Sequence, residues 1–230
     1  MTAIKICGIT NLEDAMGAAE SGVHALGFIF YGQSPRYVSP EDAAKIIQQL
    51  PSTVTTVGVF VNHDAREVRK IAENCLLDMI QLHGDESPEY ARGLSDYHRI
   101  RAVAPRSGDD LSGLAAYPAG AILVDGYDHR LYGGTGKRAN WDVALLIKEH
   151  CPLILSGGLH AGNIEAALRR ISPQAVDINS GCERVPGEKD HNKIRKIIDI
   201  VRCFDRDSGK GNNGIFRKAE RRVHAAQDEN

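Results

Sequence analysis

At 230 residues, 42% of them hydrophobic and 25% charged, the chain has the size and balance of one globular domain. Its formal net charge of -2 at pH 7 gives no reason to expect nucleic acid or an acidic membrane surface as partner. No apolar run approaches the roughly 18 to 20 residues that a membrane span needs.

Taken in chain order, short apolar segments alternate with helix-like ones. A strand is predicted at Ile4 to Cys7 and a helix at Asn11 to Ser21, then Ala25 to Phe30 and Pro40 to Leu50. The pattern continues with strand Thr55 to Val61, helix Asp64 to Asn74, strand Met79 to His83 and helix Ser87 to Leu94. Strand His98 to Val103 precedes a weaker helical span, Asp109 to Tyr117. Strand Ala121 to Asp125, helix Trp141 to His150, strand Leu153 to Ser156, helix Ala161 to Ile171 and strand Ala175 to Ser180 follow. A last helix spans about Asp190 to Cys203. Thr10 or Asn11 before Leu-Glu-Asp, and Ser39-Pro40-Glu41, are helix-start signals.

Eight β-then-α units need parallel strands and right-handed crossovers. An open Rossmann sheet would carry G-x-G-x-x-G after its first strand, whereas Cys7-Gly8-Ile9-Thr10 stands there. The predicted fold is therefore α/β, a (β/α)8 TIM barrel over residues 1–204. Residues 205–230 are a charged C-terminal extension behind a Gly/Ser/Asn-rich link. They are read as disordered or as a short amphipathic helix carrying Ile215, Phe216, Ala219 and Val223, with no catalytic role. Nothing in the sequence supports a partner protein on this tail.

The five cysteines, at 7, 75, 151, 182 and 203, form no C-x-x-C pair and total an odd number. Neither a disulfide framework nor a metal site is expected from them. The start MTAIKICGITNLEDA lacks the pattern of a signal peptide, so a cytoplasmic, reducing location is the simplest reading.

Barrel enzymes build their sites at the carboxyl ends of the strands. Polar or Gly-rich residues predicted there are Cys7, Arg36, His83, Asp125, Ser156-Gly157-Gly158 and Ser180-Gly181. Gly157, Gly158, Ser180 and Gly181, after strands seven and eight, let backbone N–H groups approach an anion, with helix-like sequence following. They make a phosphate site, although any tight βα turn also uses glycine. Tyr132 to Arg138 resembles a P-loop but has Leu131 and Arg138 where glycine and Ser or Thr belong; a lid is the better reading.

Cys7 at a strand end is by default a small packing residue. Lys5, two residues earlier and on the same side, would lower its pKa and enrich thiolate. Alternatively Lys5 pairs with Asp177 on the neighbouring eighth strand, which weakens that activation. Asp125 closes the apolar run Ala-Ile-Leu-Val, so partial burial would raise its carboxyl and suit it to donate a proton. A loop cap is its bland alternative, and Asp128 is a rival.

Several strings, in order, resemble the phosphoribosylanthranilate isomerase family: KICGIT at 5–10, ALGFIFYGQSPRYV at 25–38, VGVFVN at 57–62 and QLHGDE at 81–86. LVDG with the later GGTGK, LILSGGL at 153–159 and PGEKD at 186–190 complete the set. The resemblance implies an Amadori rearrangement in tryptophan biosynthesis, with Asp125 as general acid, Cys7 as general base and no metal or organic cofactor. It also implies that Arg36 binds the anthranilate carboxylate and that His83 lines the mouth. The chain departs from the family's pattern at His24, Asn179 and Cys182 and in its tail. Two other readings stay open: Cys7 as a nucleophile with His83 as its base, and a catalytically silent barrel that binds a phosphorylated ligand. A sugar isomerase of histidine biosynthesis shares the fold and rearrangement, but the cysteine base and its string resemble the anthranilate enzymes.

Overall fold

The computed structural model describes residues 1–105, 111–126, 139–209 and 214–219. Eight parallel strands close into a barrel: β1 (Ala3–Cys7), β2 (Ala25–Ile29), β3 (Thr55–Phe60), β4 (Met79–Leu82), β5 (His98–Val103), β6 (Ala121–Val124), β7 (Leu153–Leu155) and β8 (Ala175–Ile178). Around them run α1 (Leu12–Glu20), α2 (Pro40–Ile47), α3 (Ala65–Asn74), α4 (Pro88–Gly93), α5 (Ser112–Ala116), α6 (Trp141–Lys148), α7 (Ile164–Ile171) and α8 (His191–Ser208). The predicted (β/α)8 barrel is the observed one.

Local chemistry starts most helices where the sequence signals it. The side chains of Asn11, Ser39, Asp64, Ser87, Asn140 and Asp190 accept backbone N–H bonds from the first turns of α1, α2, α3, α4, α6 and α8. The weak span is helical only over α5, which has no capping side chain, and its predicted start at Asp109 lies outside the described residues. β8 is shorter than predicted. Asn179 leaves the extended region (φ -123°, ψ -92°), and Ser180–Cys182 form a 3-10 turn instead of strand. An unpredicted hairpin follows, β9 (Glu183–Val185) and β10 (Glu188–Lys189), turning at Pro186-Gly187.

Period-two alternation sorts side chains between two cores. Ile4 and Ile6 of β1, and Leu26 and Phe28 of β2, face the helix layer in the larger core. Ala3, Ala25, Val57, Met79, Ala121 and Ile154 fill the barrel's lower interior. Small and bulky residues share that layer, as they must where strands converge. Higher up, the inward positions turn polar: Lys5 stands beside Asp177 in the β1–β8 register, and Cys7 beside Gly27 in the β1–β2 register. The barrel is clasped from outside as well. The Thr2 backbone N–H and hydroxyl donate to the two carboxylate oxygens of Asp205 on α8, at 2.6 and 2.8 Å.

α8 runs to Ser208, beyond the predicted end near Cys203 and past residue 204, and Gly209 ends it with φ +63°. Residues 214–219 are irregular rather than helical and lie under the barrel floor. Ile215 and Phe216 pack on the lower interior core. The Lys218 ammonium reaches Asp78 at 2.8 Å and the Val54 carbonyl, and the Ala219 N–H donates to Asp78 at 3.1 Å. Val223 lies outside the described residues. Deleting residues 210–230 should remove about 2 kcal/mol of apolar contact. Thermal unfolding should then show a Tm lower by about 4–8 °C; an unchanged Tm would mean that this packing contributes nothing.

Candidate active site

The site is built on a lysine with no access to water. Lys5 is fully buried, which is tolerable for an ammonium only with close acceptors. Its Nζ lies 3.0 Å from Asp177 Oδ1 and donates to Gln81 Oε1 at 3.1 Å. Burial alone would lower its pKa, but the negative charges of Asp177 and Cys7 outweigh burial and hold the ammonium above its ordinary range. Burial likewise pushes the Asp177 carboxyl up, against the pull of Lys5. Room for the lysine and the thiol comes from Gly27. A Cβ there would stand 2.7 Å from Cys7 Sγ and 3.1 Å from Lys5 Cε.

One layer higher, Cys7, His83 and Asp125 face the mouth from β1, β4 and β6. Burial raises the Cys7 thiol above its ordinary value; Lys5 and Lys189 pull it down without overcoming burial, and Asp177 adds to the rise. The expected net activation of the thiol by Lys5 is therefore not what the structure shows. Lys5 is shared with Asp177, the alternative that alternation along the strand had left open. Asp125 accepts the Gly126 N–H on Oδ1 at 2.7 Å, so it does cap the loop that follows, and it also lines the cavity. Its Oδ2 faces His83 Nε2 at 3.4 Å, while His83 Nδ1 meets Gln81 Nε2 at 2.8 Å. The structure thus brings His83 to Asp125 and Gln81.

Arg36, in the loop after β2, is buried rather than a surface arginine. Glu183 of the hairpin binds its Nε at 2.9 Å and its Nη2 at 2.8 Å. Lys189, fully buried, joins this cluster through Glu183 Oε1 at 2.8 Å and Asn179 Oδ1 at 3.0 Å. With two cations against it, Glu183 is held below the ordinary carboxylate range despite the opposing effect of burial.

The loops after β7 and β8 close the other side. Gly157 (φ +77°) and Gly158 (φ +61°) take left-handed backbone, and a Cβ on Gly157 would meet the Gly126 and Ala139 nitrogens at 2.6 and 2.8 Å. Gly181 sits against the Leu159 carbonyl, again with no space for a Cβ. Helix α7 starts six residues after Gly158, but Ser180 and Gly181 lie within their own 3-10 turn and lead to the hairpin, not directly to a helix. Cys7, Arg36, His83, Asp125, Gly157, Gly158 and Ser180 all line one cavity at the barrel mouth. Asp128 and the predicted lid at 132–138 lie outside the described residues.

The family model described as N-(5'phosphoribosyl)anthranilate (PRA) isomerase matches residues 4–200. The chain belongs to this family. The N-(5'-phosphoribosyl)anthranilate isomerase of Syntrophus aciditrophicus is 51% identical over 204 residues, 89% of this chain and 89% of that protein. The phosphoribosyl anthranilate isomerase of Thermotoga maritima superposes with a TM-score of 0.82 at 39% identity, covering 88% of this chain and 100% of that one. A phosphoribosyl anthranilate isomerase solved with reduced 1-(o-carboxyphenylamino)-1-deoxyribulose 5-phosphate superposes with a TM-score of 0.79, at 39% identity and the same coverage.

Sequence reasoning about this isomerase-family barrel missed Gln81, Glu183, Lys189 and Gly27. Gln81 had a signal: it is polar in an apolar strand and alternates in phase with His83. Lys189 and Glu183 had none, because a hairpin after the last strand is not part of the β/α alternation. The steric reading of Gly27 makes a prediction. Gly27→Ala should cost about 1–3 kcal/mol of stability through overpacking, and it should slow alkylation of Cys7 relative to wild type under native conditions. Unchanged stability and alkylation would mean that the thiol and lysine move aside freely.

Proposed function

We infer that this chain rearranges N-(5'-phosphoribosyl)anthranilate to 1-(2-carboxyphenylamino)-1-deoxyribulose 5-phosphate in tryptophan biosynthesis, with Asp125 as acid and Cys7 as base. The observation that carries the assignment of roles is that both groups open on one cavity, from β6 and β1, each with its own partners. Asp125 gives its proton to the furanose ring oxygen, the ring opens, and a Schiff base forms at C1. Cys7 as thiolate takes the C2 proton, leaving an enolamine that tautomerises to the keto amine. The rearrangement is internally redox-neutral, so an acid and a base suffice and no electron acceptor is required.

The raised thiol fits this task in a specific way. Near neutrality most Cys7 is protonated, but the thiolate that does form is a strong base, with the Lys5 ammonium beside it. Arg36 is positioned to take the substrate's aromatic carboxylate, its plane set by Glu183. Gly157, Gly158, Ser180 and Gly181 hold the 5-phosphate through backbone N–H groups. A nucleophilic Cys7 served by His83 is not favoured, since both His83 ring nitrogens face other residues. The reading includes a barrel domain, expected at 1–204 and carried by α8 to Ser208, a C-terminal extension after it, and a cytoplasmic location, which suits five free thiols.

Turnover is followed by loss of the substrate's fluorescence, with circular dichroism to confirm folding. Cys7→Ser and Asp125→Asn should each lose about 10²- to 10⁴-fold in kcat; a folded wild type that leaves the signal unchanged would sink the assignment.

A further inference from the structure

We propose that Gln81 is a positioning residue: it locks His83 as the Nε2–H tautomer and, through that ring, orients Asp125. The argument rests on the reading of Asp125 as the acid and starts from Lys5. An ammonium has three donors and no acceptor, so the Gln81 amide must turn its oxygen toward Lys5 Nζ, 3.1 Å away. Its Nε2 then necessarily points the other way, where His83 Nδ1 lies at 2.8 Å. An amide nitrogen can only donate, so Nδ1 must present its lone pair. A neutral imidazole with a lone pair on Nδ1 carries its proton on Nε2. Gln81 is 1% exposed, so water cannot supply a competing partner that would let the amide flip.

The consequence falls on Asp125. Nε2–H faces Oδ2 at 3.4 Å, and the Gly126 N–H holds Oδ1 at 2.7 Å. With the Gly126 N–H bonded to Oδ1 and the imidazole edge set against Oδ2, the carboxyl plane is oriented relative to the cavity it lines. The opposite tautomer would set two lone pairs against each other when Asp125 is ionised, and would draw the acid's proton toward the imidazole when it is protonated. The same chain of donors explains why His83 cannot relieve Cys7 of its proton: its one acceptor nitrogen is occupied by Gln81.

The test is ¹⁵N NMR of the histidine-labelled full chain, with His83 assigned by its absence in His83→Asn. Wild type should show the Nε2–H pattern. In Gln81→Glu a carboxylate oxygen replaces the donor, so the proton should move to Nδ1. There kcat should fall about 10- to 100-fold with KM changed by less than about threefold. Gln81→Met keeps the volume without fixing the ring and should show both tautomers, which covers the case in which the added charge prevents folding. An Nδ1–H pattern in wild type overturns the proposal. So does a pure Nε2–H pattern in Gln81→Met, or full kcat in folded Gln81→Glu. Wild type without turnover would instead defeat the functional reading, while the tautomer would still be decided by the spectrum.

Discussion

The fully buried ammonium of Lys5 is the constraint from which the site's geometry follows. Taking such a charge out of water costs several kcal/mol even after relaxation, and unpaired it would lose its proton or destabilise the barrel. Asp177 of β8 and Gln81 of β4 meet that demand from across the barrel, and both are thereby fixed in its interior. Gly27 is confined to a hydrogen for its side chain, because any larger group would enter the space of the lysine and the thiol. A single buried cation thus organises residues from β1, β2, β4 and β8. Cys7, His83 and Asp125 stand directly on top of them.

A second charged cluster serves the opposite purpose. Arg36, Glu183 and Lys189 bring together a loop after β2 and the hairpin after β8, two elements that share no strand pairing. Here one carboxylate holds two cations, so the cluster keeps a net positive character beside the cavity. An anionic ligand meets a site already biased toward it, without the reorganisation that a mobile surface arginine would require.

How much of this could be read from the chain depends on distance along it. Eight strands were legible because buried parallel strands are nearly continuous apolar runs, and the helices because Asn11, Ser39 and Ser87 mark their starts. Cys7, His83 and Asp125 were legible once the barrel was assumed, since its mouth selects residues at strand ends. The Lys5–Asp177 pair was one of two readings that alternation along the strands left open, and the structure contains it. The partner of Arg36 was not legible, since Glu183 lies 147 positions away in an element without a periodic signature. The direction of the thiol's shift was not legible either: a nearby lysine predicts a fall, and only enclosure by the barrel reverses it. The tail's Ile215 and Phe216 suggested a helix by spacing, yet two apolar residues fit an irregular docking segment equally well.

The clasp between Thr2 and Asp205 joins positions 203 apart. During synthesis β1 emerges first and waits with its outer edge unpaired, because β8 and α8 are the last parts of the barrel to leave the ribosome. The polar middle layer cannot assemble before that moment, since Asp177 arrives with β8. Closure, desolvation of Lys5 and completion of the cavity's mouth are consequently one late event in the synthesis of the barrel.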